Sequence, residues 1–83
     1  MSRHMATTTT AQQVGANVRA EAARRGISGS ALGRSVGLTQ SAMSRRLMGT
    51  HPFSVTELAA IAQRLEVPIS VLLPAEVVAA VAS

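Results

Sequence analysis

Two glycines, Gly37 and Gly49, bracket the segment that most constrains this chain. Gly37 can take positive φ at little steric cost and opens a tight turn through Leu38 and Thr39. Gln40 to Met48 then reads as a short helix, capped by Thr39 and ended by Gly49. At the α-helical period Met43 and Leu47 fall on one side of it. Gln40, Ser41, Ser44, Arg45 and Met48 fall on the other, with Arg46 on a flank beside Ala42. Upstream, residues 29–36 form a second short helix, with Ser28 as cap and Leu32 and Val36 facing the core. Gly33 is a poor residue for its interior and implies the close approach of another helix. Two short helices about a glycine turn, the second polar on its free face, follow the helix-turn-helix plan.

The flanking sequence supplies further helices. Residues 11–25 predict a first helix with Thr10 as cap and Gly26 as left-handed stop; Val14, Val18 and Ala22 make its apolar stripe. Arg24 and Arg25 in its last turn suit the helix dipole, with phosphate contact as the other reading. Ile27 precedes the Ser28 cap and can staple the entry. After a loop over residues 50–53, Ser54 and Glu57 have capping-box spacing. A fourth helix then carries Val55, Leu58, Ile61, Ala62 and Leu65 on one side and stops before Pro68. A short turn follows over residues 69–73. Pro74 suits the first position of a last helical segment that groups Val77, Val78 and Val81 on one face. The predicted fold is all-α, a compact bundle of about five short helices. Residues 1–9 are an unstructured arm or an expression remnant, 10–73 the helix-turn-helix domain, and 74–83 a helical tail or linker.

Composition removes several function classes. At 83 residues the chain fits one small domain. It has no cysteine, and His4 and His51 lie far apart, so no metal site is expected. Phe53 is its single aromatic residue, which argues against stacking single-stranded bases. All 8 of its basic residues are arginines, set against 4 acids, and Arg suits planar contacts with phosphate and guanine edges. An arginine-only composition also suits a GC-rich genome. The acids Glu21, Glu57, Glu66 and Glu76 do not cluster with a histidine; no enzyme activity and no cofactor are expected. No apolar run is long enough to span a bilayer, so no membrane partner is expected and a bacterial cytoplasm is the default location.

The sequence resembles the lambda-repressor-like, or Cro-like, helix-turn-helix family of phage and bacterial transcriptional regulators. The resemblance covers residues 14–73. It is carried by Leu32-Gly33, Gly37-Leu38-Thr39-Gln40-Ser41, Met43, Ser44-Arg45-Arg46-Leu47-Met48-Gly49, Pro52, Glu57 to Ala62, Leu65, Val67 and Leu72-Leu73. It implies that the helix from Gln40 is the recognition helix, with Gln40, Ser41, Ser44 and Arg45 at base-reading positions. It implies DNA-backbone contact by Ser28, Ser30, Thr39, Thr50 and His51. Physically, a helix fits the major groove if small or hydrogen-bonding side chains face outward; Gln can pair with adenine and Arg with guanine. The family usually has alanine at Gly33 and often an apolar residue at Arg46. Arg46 therefore either pairs with an acid such as Glu21 or reaches the DNA backbone. Met48 reads as a packing residue.

Two functions from different classes follow. The first is sequence-specific binding of double-stranded DNA by a phage repressor or Cro-like regulator. It would act as a homodimer, at least on DNA, at a two-fold operator. Val77, Val78 and Val81 are its candidate dimer contacts; otherwise the tail folds on its own core or leads to another domain. The second is a protein-interaction module on the same fold, such as an antitoxin or anti-regulator, with its partner on the apolar tail.

Overall fold

A computed structural model describes residues 8–82. The element order is α1 (Thr10–Arg24), α2 (Gly29–Ser35), α3 (Gln40–Met48), α4 (Val55–Leu65), a 3₁₀ turn (Ile69–Leu72) and α5 (Ala75–Ala82). The described residues contain helices and no strand, as the all-α reading expects. The arm expected over residues 1–9 lies outside the described residues except for Thr8 and Thr9.

Local chemistry sets the boundaries. Thr39 Oγ1 accepts from Ala42 N (3.1 Å) and starts α3; Gly49 ends it at φ 81°. Ser28 caps α2 through Ala31 N, and Gly37 turns the chain at φ 82°. The Ser54–Glu57 capping box is formed in both directions. Helix α1 starts one residue earlier than expected. Its cap is Thr9, whose hydroxyl accepts from Gln12 N while its own N–H donates to Gln12 Oε1. Thr10 is thus the first helical residue, and Arg25 the C-cap. Helix α4 stops at Leu65 because Glu66 turns left-handed at φ 59°, releasing Val67 N to Ala62 O (3.0 Å).

The core collects apolar residues from every element through the 3₁₀ turn. Val14, Val18 and Ala22 come from α1, Leu32 from α2 and Met43 from α3. Leu58, Ile61, Ala62 and Leu65 come from α4, and Leu72 from the 3₁₀ turn. Each large side chain so buried stabilises the fold by about 1.5–3 kcal/mol relative to exposure. Ile27, Val36, Leu38, Leu47 and Phe53 pack around this cluster, half-buried. The close approach expected at Gly33 is to α3: an added Cβ would lie 2.8 Å from Met43 Cβ and Cγ. Gln13 Nε2 donates to Asn17 Oδ1, and Asn17 Nδ2 donates to Leu72 O (3.2 Å), tying α1 to the 3₁₀ turn. Pro74 is buried, but Val77 and Val78 are only half-buried and Val81 is 80% exposed. No described helix is long and apolar enough to cross a membrane.

Candidate nucleic-acid interface

Helix α3 is held from behind and open in front. Met43 is buried against Gly33, and Leu47 is half-buried beside it. Opposite them Gln40, Ser41, Ser44, Arg45 and Met48 are all exposed. The four candidate base-reading residues therefore share one free face. Arg45 Nη1 donates to Ser41 Oγ (2.7 Å), so the guanidinium lies back along the helix and Ser41 orients it. Ser44 Oγ sits 4.0 Å from Met48 Sδ. Met48 is 61% exposed on the same face, so its expected packing role is corrected.

The residues proposed for backbone contact divide. Ser30 shares with Gln40, Ser44 and Met48 a cleft of about 280 Å³ between α2 and α3, which Arg19 also lines. Ser28 and Thr39 are exposed caps; Thr50 and His51 are exposed in the loop after α3. Thr50 Oγ1 donates to Arg45 O (3.1 Å). Arg46 turns away from this surface. Its Nε donates to Glu57 Oε1 (2.9 Å) and its Nη1 to Ala42 O (3.1 Å), leaving the side chain 14% exposed. Of the two readings offered for Arg46, the pairing with an acid is the one formed, although the acid is not Glu21. Its partner is Glu57, because the loop after α3 folds the first turn of α4 against the last turn of α3. Glu21 is already engaged by Arg24 and Arg25.

The charge pattern follows from these pairs. Arg24 and Arg25 share an ion pair with Glu21, and Arg46 is paired with Glu57. Arg19, Arg34, Arg45 and Arg64 make no ion pair among the described residues. No acid occupies the first turn of α2 or α3, so the positive ends of both helices are uncompensated. The outer face of α3 is thus polar, basic and free of carboxylates.

Glu57 secures the back of this arrangement. Its Oε1 accepts from both Ser54 N (2.9 Å) and Arg46 Nε (2.9 Å). The Ser54 N–H holds its carboxyl below the ordinary 4.5; burial opposes this, and Arg46 adds to the lowering. A carboxyl lowered in the folded state stabilises it above the unfolded value and loses that stabilisation as pH falls through the folded one. Glu57→Gln should therefore lower the thermal midpoint at neutral pH, at a cost of about 1 kcal/mol. The difference from wild type should shrink below the carboxylate range. Melting curves from pH 7 to pH 3 check this; a gap that widens in acid contradicts it.

Sequence reasoning passed over two residues near α3, Gly15 and Arg19. Gly15 interrupts an otherwise helical stretch, the signal that was read at Gly33 and could have been read here. Arg19 offered no signal of its own.

An open polar helix braced by two others defines a helix-turn-helix domain. The chain belongs to the BetR domain family, which it matches over residues 5–81. In fold it is similar to a solved structure described as the DNA-binding domain of BldD: TM-score 0.70, 25% identity, covering 83% of this chain and 100% of that one. No match was found among curated proteins.

Proposed function

We propose that the chain binds double-stranded DNA sequence-specifically and regulates transcription, with α3 in the major groove. The observation that carries this is the exposed row Gln40, Ser41, Ser44 and Arg45 on a helix whose other side is locked by Met43. Small serines let the helix backbone approach the base edges. Gln40 suits the adenine edge and Arg45 the guanine edge. Ser28, Ser30, Thr39, Thr50 and His51 surround the row and suit phosphate oxygens, which set register without reading sequence. The neighbour's description as a DNA-binding domain supports the same reading.

The finer reading is a phage-type repressor or Cro-like protein working as a homodimer on a two-fold site. One domain of this size buries too little surface to hold DNA tightly alone. Val81, 80% exposed on α5, together with Val77 and Val78, is the surface on which a second copy would pair.

Selection of duplexes from a random pool, followed by mobility shift at two salt concentrations, tests this reading. Affinity should fall steeply with salt as counterions are released. Arg45→Ala should weaken the selected site by about 1.5 kcal/mol, roughly tenfold in Kd, and relax specificity at one base pair. Unchanged affinity removes α3 as the reading helix. Symmetric half-sites about one turn apart would support the dimer. An absence of salt-dependent binding would favour the protein-interaction module instead.

A further inference from the structure

Helix α1 holds the far end of α3 at three consecutive points. At Gly49, an added Cβ would lie 2.5 Å from Gln12 Cα. At Gly15, an added Cβ would lie 2.3 Å from Leu47 O and 2.9 Å from Arg46 O, so the α1 backbone touches the last carbonyls of α3 directly. One turn further, Arg19 Nη1 donates to Leu47 O at 2.9 Å. Gln12, Gly15 and Arg19 are spaced by three and four residues and so form one stripe along α1.

The last carbonyls of a helix lack intrahelical partners. In α3, Arg45 O is satisfied by Thr50 N and Thr50 Oγ1, and Arg46 O by Gly49 N. Leu47 O is served by Arg19. The middle of α3 is pinned at Met43 against Gly33, and its start at the Thr39 cap. A helix pinned at its start and middle can still tilt about that pivot. The contact at its end fixes the tilt, and readout of base edges tolerates only about 0.5 Å and 10–20° of error.

Resting on the DNA-binding reading above, we infer that Arg19 is a positioning residue for recognition: by holding Leu47 O it sets the angle at which α3 meets the bases. Arg19 is itself exposed, at the edge of the cleft that Gln40, Ser44 and Met48 line. Direct phosphate contact is therefore the competing role, and the two differ in what they predict. A phosphate contact strengthens binding to every duplex alike and adds to its salt dependence. A positioning residue acts on the difference between the right duplex and a wrong one.

The test uses the full chain, a duplex recovered from a random pool by wild type, and a scrambled duplex of the same length. Arg19→Met keeps the stem and removes the donor; Arg19→Lys restores a donor. Kd is measured for both duplexes at two salt concentrations, well below the melting temperature. We expect Arg19→Met to reduce the selected-to-scrambled ratio about fivefold, the scale of one lost hydrogen bond, with the salt slope unchanged. Arg19→Lys should recover most of the ratio. Without DNA, amide exchange at Gly49 and Thr50 should quicken in Arg19→Met and slow again in Arg19→Lys. Two results overturn the inference while leaving DNA binding standing. One is an equal loss on both duplexes with a salt slope smaller by about one, which marks a phosphate contact. The other is a lower melting temperature with the ratio intact, which marks a purely structural bond. A wild-type chain that distinguishes no duplex overturns the DNA-binding reading and this role with it.

Discussion

Gly15→Ala lowers the thermal midpoint by about 10 °C, reversing the usual sign of the substitution. In an open helix, alanine is favoured over glycine by about 1 kcal/mol. At position 15 the new methyl would lie 2.3 Å from Leu47 O and 2.8 Å from Leu47 C. These are backbone atoms of another helix, and no rotamer change can move them. Helices α1 and α3 must separate, and overpacking of this kind costs about 1–3 kcal/mol or more. Separation also removes the donor from Leu47 O and loosens the Gln12–Gly49 contact, both on the same stripe. The net loss is about 2–3 kcal/mol, and each kcal/mol moves the midpoint of a domain this size by about 4–8 °C. Thermal melts followed by circular dichroism decide it. A midpoint raised by Gly15→Ala would show that α1 does not seat on α3.

Much of this architecture could be read from the chain because its punctuation is local. Thr39, Gly49, Ser54 and Glu57 act within a turn of themselves; α3 begins at the Thr39 cap and ends at Gly49, and α4 begins at the Ser54–Glu57 box. The start of α1 was less legible for a physical reason. Residues 7–10 are all threonine, and both Gln12 and Gln13 stand at capping-box distance from one of them. The choice falls to Thr9 and Gln12, while Gln13 turns to Asn17, which reaches the 3₁₀ turn. No local rule contains that long-range bond. The partner of Arg46 escaped for the same reason: Glu57 comes within reach only once the intervening loop folds back. Glu66 in a left-handed conformation had no glycine to announce it. In the candidate interface, the exposed row on α3 followed from periodicity. The stripe on α1 that sets α3's far end depends on helix–helix contact, which one sequence does not display.

Met43 and Gly33 form the second contact on which α3 depends, and together they permit a sharper measurement than either gives alone. Met43 is 1% exposed, and Met43→Ala should cost about 3 kcal/mol, within the range for large-to-small changes in a core. That is a large part of the roughly 5–10 kcal/mol available to a domain of this size. Gly33→Ala should also destabilise, despite the better helix propensity of alanine, because its Cβ would meet Met43 Cβ and Cγ at 2.8 Å. The two losses should not add. Truncating Met43 removes Cγ and frees half of the crowded contact, whereas Cβ stays where it was. The double variant should therefore be more stable than the sum predicts, by about 1 kcal/mol, the coupling typical of side chains in contact. Denaturant titrations of the four proteins supply the cycle. Strict additivity would mean that α2 and α3 do not meet at this pair, and the brace behind the exposed face of α3 would have to lie elsewhere.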